Sequence, residues 1–274
     1  MSSQIISITS GKGGVGKSVS TVYFAYLSRL MGKKVLIIDG DLGLSNVEIL
    51  MNLRPRYSLR DVLDGNAKID DVVMEDTTGV RVISSGSGIS SLTTLNNLEK
   101  SVLIDQCQSL SQSFDYTFID TGAGINDSVI SLNSFSSKNI IVTTPEPHAI
   151  TDAYAIMKVM SEKLSRKTFY LLVNQTRFRG EGLNVFERLS DVSNKFLGIN
   201  IRFLGSVPFD REVSLNVLRR NIPYKHITQT LAGQAWQEAL FKLREQSHDS
   251  HRGDSSKLSD IWGQVIQASS ESYF

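Results

Sequence analysis

Ser10 to Ser18 read SGKGGVGKS, directly after the apolar run IISIT (Ile5–Thr9). Gly11, Gly16, Lys17 and Ser18 fit the pattern G-x-x-x-x-G-K-[ST]. The strand-like run before it and the helical pattern after it, Lys17–Met31, supply the context that gives the pattern weight. Glycines let successive backbone N–H groups converge on phosphate oxygens, and the start of the following helix adds its positive dipole end. Lys17 supplies a point charge for the β and γ phosphates of a nucleotide, and the Ser18 hydroxyl is placed to ligate Mg²⁺. The stretch therefore predicts a phosphate cradle between a strand and a helix.

Working outward, short apolar runs recur at Ile5–Thr9, Lys34–Asp39, Val80–Ser84, Tyr116–Asp120, Asn139–Thr144, Phe169–Asn174 and Arg202–Ser206. They are rich in Ile, Val and Phe and do not alternate strictly, which points to strands buried on both faces. Helical patterns fall between them at Lys17–Met31, Leu95–Ser113, Asp127–Ser134, Ala149–Leu164 and Leu183–Phe196, and Ala232–Arg244 closes the series. The expected fold is α/β: doubly wound, with a mostly parallel sheet and helices on both faces. It occupies residues 1–244 as one domain.

Residues 245–256 lie in the polar stretch EQSHDSHRGDSSK and read as a flexible linker. His248 and His251 stand at ligand-like spacing within it, but histidines on a floppy segment are more often solvated than metal-bound. In residues 257–268, Leu258, Ile261, Trp262, Val265 and Ile266 form one apolar helical face, and 269–274 are a tail.

The 274 residues are 41% hydrophobic and 21% charged, an ordinary globular composition. With 29 basic and 28 acidic residues the net charge is +1, so there is no global pull toward nucleic acid or acidic lipid. Cys107 is the single cysteine, which excludes an internal disulfide and a cysteine-built cluster within one chain. No apolar run approaches the ~20 residues of a spanning helix, and Met1–Gln4 lead straight into a strand without a signal-peptide pattern. A cytoplasmic protein is expected.

Lys12 has no role in a plain phosphate loop, where it would be a solvated lysine. KGGVGKS resembles the deviant Walker A motif of the MinD/ParA ATPases, a P-loop NTPase family of the SIMIBI class. The resemblance covers Ile5 to about Leu243 and implies a bacterial ATPase that dimerises face to face on ATP, with Lys12 reaching the partner's phosphates. It implies Lys12, Lys17 and Asp41 as catalytic residues, Asp41 positioning the attacking water. Nucleotide contacts are implied at Gly11, Lys12, Gly13, Gly14, Val15, Gly16, Lys17, Ser18, Val19, Gly124, Asn174 and Pro208. Mg²⁺ is assigned to Ser18, Asp39 and Asp120. VLIIDGDLGLSNVEILM (Val35–Met51) carries Asp39 and Asp41; either could also be a helix-capping or loop carboxylate, though a pair at a strand's C-terminal end beside a phosphate loop favours the site. FIDTGAGI (Phe118–Ile125) looks like a Walker B strand with its switch. A strand-end Asn such as Asn174 is often just a turn residue.

DGDLGLSNVEIL (Asp39–Leu50), PEPHAITDAYAIMK (Pro145–Lys158) and LGSVPFDREV (Leu204–Val213) look most like the FlhG/FleN regulators of flagellar number. This branch implies an ATP-state homodimer and, as partner, the FlhF GTPase or a flagellar transcription activator. The chain departs from many FlhG proteins in having no DQAxxLR helix before its first strand, which puts regulation of FlhF in doubt. Asp152 matches a position near the dimer interface in relatives and equally suits a first-turn helix carboxylate.

The C-terminal helix is near neutral, Lys257 against Asp260, where membrane-targeting helices of the family are basic. Two such helices on a dimer would gain by effective concentration, giving peripheral membrane contact through Leu258, Ile261, Trp262, Val265 and Ile266; folding back on the domain or contact with a partner protein stand as alternatives. The rival readings are a MinD-like division-site positioner and a ParA-like partition ATPase binding DNA through Arg177/Arg179 or Arg219/Arg220.

Overall fold

A computed structural model of the chain describes residues 3–41, 46–57, 61–62, 64–83, 110 and 113–245. Cys107, His248, His251, most of the expected helix Leu95–Ser113 and everything beyond Glu245 lie outside the described residues.

The apolar runs form strands because each supplies both faces of one sheet. Ile6 and Ile8 of β1 (Gln4–Ser10) enter one core, whereas Ile5 enters another on the opposite face. The first core is covered by α1 (Lys17–Leu30), which follows β1 through the glycine loop. Next come β2 (Val35–Gly40), α2 (Asn46–Leu50), α3 (Ile69–Val72) and an antiparallel pair, β3 (Met74–Glu75) with β4 (Arg81–Ile83). The second half runs β5 (Tyr116–Ala123), α4 (Asp127–Ser134), β6 (Lys138–Thr143), α5 (Pro147–Leu164), β7 (Thr168–Thr176), α6 (Glu181–Leu197), β8 (Asn200–Pro208), α7 (Arg211–Leu218) and α8 (Leu231–Glu245).

The sheet order is β3-β4-β2-β5-β1-β6-β7-β8, parallel throughout except for the β3/β4 edge. One face packs on α1, α2 and α8, the other on α4, α5 and α6. The expected doubly wound α/β fold is the observed one. Between β2 and β1 the register sets Asp39 opposite Asp120 and Ser10 opposite Ala123, so the carboxyl ends of the three central strands meet at the glycine loop. That crevice is where open parallel sheets bind ligands.

Trp236 ties α8 to this edge. Its ring lies 4.0 Å from that of Tyr23, and its Nε1 donates to Ser20 Oγ at 3.1 Å, one turn into α1.

At the opposite end of the sheet Lys138 opens β6, buried, and its Nζ donates to the Leu243 carbonyl at 2.7 Å in the last turn of α8. Burial, with help from Arg202, pushes the ammonium down to about 8. Between that value and the ordinary lysine range the unfolded chain holds a proton that the folded chain has lost. This group therefore makes folding more favourable as pH rises from about 8 toward 10, by up to about 1.4 kcal/mol per pH unit. Lys138→Met is expected to remove that rise: urea midpoints of wild type and variant, measured at neutral and alkaline pH, should converge or cross as pH increases. Parallel curves would refute it.

Candidate functional site

The phosphate loop is held from both sides by residues far away in sequence. Gly16, at φ +90°, is the N-cap of α1, and a Cβ on it would overlap the Asn174 amide. Asn174 itself donates to the Val15 carbonyl at 2.9 Å and accepts from the Gln175 N–H at 2.9 Å. Gln175, in the left-handed region at φ +58°, reaches the Gly14 carbonyl at 3.4 Å. On the other flank a Cβ at Gly11 would run into the Asp152 carbonyl on α5. These contacts leave the first-turn N–H groups of α1 without a capping side chain, as an anion site requires.

Beneath the loop lies a charge cluster. Lys17 is buried, its Nζ 3.8 Å from Asp120 Oδ1, and the Thr21 hydroxyl donates to the same oxygen at 3.2 Å. Asp120 Oδ2 is buried without a hydrogen-bond partner. Asp39, fully buried beside it, accepts from the Asp41 and Val47 N–H groups, each at 3.1 Å. Burial first, and then the neighbouring Asp120 charge, push the Asp39 carboxyl up to about 7. Asp120 also moves up through burial, against the pull of Lys17 and of the Ser18 and Thr21 hydroxyls. Two neighbouring buried carboxylates, one of them beside a lysine and with an orphaned oxygen, fit a divalent cation: Mg²⁺ needs only one or two protein carboxylates when substrate phosphates supply further oxygens. Asp41 stands at the mouth, half-buried, with Asn46 Nδ2 3.4 Å from its Oδ2 and Gly122 packed against its carboxylate.

Lys12 points across the outer edge rather than into the cluster. Its Nζ meets Glu146 Oε2 at 2.7 Å, and both side chains are exposed. The hydrogen bond from Lys12, and then its charge, hold the Glu146 carboxyl below its usual range. Gly13 and Gly14 are exposed beside it, and Val19 packs against the α1 core. Gly124, at φ +99°, donates to the Ser10 carbonyl at 3.0 Å, which brings the segment after β5 against the glycine loop. Pro208 ends β8 opposite Thr176, two residues past Asn174. The residues picked from the sequence thus converge on one edge, Lys12 on its outer rim and Pro208 on its far side.

A fully buried relay escaped the sequence reading. Thr121 Oγ1 donates to Thr9 Oγ1 at 2.9 Å, and Asn133 Nδ2 reaches the same oxygen at 3.3 Å. Ser7 Oγ donates to Asn133 Oδ1 at 2.6 Å, and Asn139 Nδ2 donates to Ser7 Oγ at 2.7 Å. These residues pin β5 and β1 to α4. Only unusual polar residues in apolar strands hinted at it. Thr9→Val leaves one amide hydrogen of Asn133 without an acceptor, while Thr121 Oγ1 keeps the Ile8 and Gly122 carbonyls, and should cost about 1–3 kcal/mol in urea unfolding. Thr9→Ser, which keeps the hydroxyl, should recover most of it; equal losses would show that the methyl group matters instead.

A glycine-rich loop between strand and helix with a lysine–carboxylate cluster beneath it, at the carboxyl edge of a parallel sheet, defines a P-loop nucleotide-binding protein. A ParA family model, described as NUBPL iron-transfer P-loop NTPase, matches residues 2–243. The chain is 33% identical over 240 residues to the antiactivator FleN of Pseudomonas aeruginosa, covering 88% of this chain and 86% of the relative. The flagellum site-determining protein YlxH of Helicobacter pylori is 32% identical over 230 residues, 84% of this chain and 76% of the relative. Septum site-determining protein MinD of Bacillus subtilis is 28% identical over 272 residues, 95% and 98%. Among solved structures, the MinD cell division protein of Aquifex aeolicus superposes with a TM-score of 0.68 over 89% of this chain and 97% of its own, at 24% identity. The chain belongs to the ParA/MinD-type family of P-loop NTPases. No helix among the described residues is long and apolar enough to cross a membrane.

Proposed function

We propose that the protein is an ATP-dependent dimerising switch, a slow ATPase, that regulates flagellar number or placement. The observation that carries the switch is Lys12: a lysine the cradle does not need, on the exposed rim of the nucleotide edge and paired with Glu146. A rim lysine can act on a second subunit's triphosphate, where an added charge distinguishes ATP from ADP and couples nucleotide state to association. In this reading the loop Gly11–Ser18 and Val19 bind ATP, with Lys17 at the β and γ phosphates. Gly124 senses the γ phosphate, and Asn174 and Pro208 flank the base. Ser18, Asp39 and Asp120 hold Mg²⁺, which when bound neutralises phosphate charge. Asp41 orients the water that attacks the γ phosphorus as ADP leaves. Catalysis is then mostly positioning, and turnover by the protein alone is slow.

The flagellar output is supported by the relatives FleN and YlxH, and one cysteine per chain speaks against iron–sulfur cargo. The proposed partners are a second copy in the ATP state and a flagellar regulator, either the FlhF GTPase or a flagellar transcription activator; the place is the cytoplasm and, through residues 257–268, the inner face of the membrane. The match to a MinD along nearly its whole length keeps a division-site role as the second reading. Gene deletion in the source organism, with flagella counted by electron microscopy, separates them. Extra or misplaced flagella support the regulator; normal flagella with minicells support the division-site role.

A further inference from the structure

A cavity of about 880 Å³ opens beside α1, between α2, the turn after β3 and the segment 219–226 that joins α7 to α8. It shares no residue with the phosphate loop or the aspartate cluster. Leu50, Met51, Ile222 and Tyr224 give it an apolar floor. Arg219, Arg220, Lys225 and His226 stand on its rim, all exposed. Their side chains have no hydrogen bond or ion pair among the described residues.

The two acids of the lining do not neutralise them. Asp76 Oδ1 accepts from Thr78 N at 2.9 Å, Thr78 Oγ1 at 2.6 Å and Val80 N at 3.0 Å. Glu75 is paired with Arg81 at 2.8 Å. Asp76 keeps its charge, but Arg219, Arg220 and Lys225 outnumber it, so the rim is net cationic on a chain whose overall charge is only +1. Two large exposed apolar side chains adjoin lining residues in sequence: Leu218, 78% exposed, ends α7 just before Arg219, and Ile49, 45% exposed, precedes Leu50 in α2. Cations over an apolar floor call for a ligand both acidic and apolar, and exposed apolar side chains next to lining residues on two elements favour a protein segment over a small molecule.

We propose that this cavity is a docking site for an acidic, apolar-anchored segment of a partner protein. The charges set orientation and capture rate, and the floor takes the anchor. The test uses the full chain and a fluorescein-labelled helical peptide with Leu and Phe on one face and Glu on the other, beside its counterpart with Lys for Glu. Fluorescence anisotropy should show binding of the acidic peptide alone, weakened about tenfold or more in Arg219→Glu/Arg220→Glu and in Leu218→Asp, with melting temperature and ATP turnover unchanged. No binding, or equal binding by wild type and variants, overturns the proposal. Binding only after removal of residues 246–274 would assign the cavity to the chain's own C-terminal segment and overturn the partner. Displacement of the peptide by duplex DNA, with a steep salt dependence, would make the rim a nucleic-acid patch and overturn it too.

Discussion

Lys17→Ala is expected to abolish ATP hydrolysis and to weaken nucleotide binding about a hundredfold or more, through loss of the buried lysine that the proposed function sets at the β and γ phosphates. Its effect on the empty protein should depend on pH in a defined direction. In the wild type Asp39 titrates near 7 in the folded chain and near 4 unfolded. A raised folded value means stability that is fully present below about 4 and lost as pH climbs through 7, at up to about 1.4 kcal/mol per pH unit for each proton. Lys17 counters this by attracting the Asp120 charge from 3.8 Å. Without it the pair holds its protons to higher pH, so Lys17→Ala should unfold with less urea than wild type at pH 8 and with nearly the same amount at pH 5. The double variant Lys17→Ala/Asp120→Asn, which removes the stranded charge, should regain most of the loss. A destabilisation of equal size at both pH values would place it in lost packing rather than in the carboxylates.

The legibility of this molecule from sequence followed the range of the interactions. β1, the glycine loop and α1 are local and were readable to within a residue or two. So was α4, where Asn126 accepts from the Val129 N–H and caps the helix where the periodicity begins. β8 starts at Asn200 rather than Arg202 because its pairing with Thr168 of β7 reaches past the apolar run. The short helices α2, α3 and α7 and the two-residue β3 carry too few residues to show a period, and tertiary contacts set them. The charge and polar contacts that complete the site are longer still. Lys12 and Glu146 are 134 residues apart, Asn174 and Val15 159, Trp236 and Ser20 216. Each side chain alone reads as a surface or core residue, and only the strand order brings the pairs together.

Asp41→Ala should bind ATP and accumulate as a dimer, whereas Lys12→Ala should bind ATP as tightly as wild type and stay monomeric. The two residues occupy different parts of the edge: Asp41 stands at the mouth of the cluster beside Gly122, and Lys12 lies on the outer rim against Glu146. Removing Asp41 leaves the cradle, Lys17 and the two buried aspartates in place, so binding persists while the attacking water loses its orienting acceptor and ATP is not consumed. Removing Lys12 takes nothing from its own chain's cradle, because its charge is turned outward. The loss appears only where a second subunit's triphosphate would meet it. Multi-angle light scattering with ATP and with ADP, alongside a fluorescent nucleotide titration, reads both quantities. A monomeric Asp41→Ala in ATP would sink the switch as drawn. A Lys12→Ala that binds ATP weakly would move Lys12 into its own chain's cradle and make dimerisation, if it occurs, the work of other contacts.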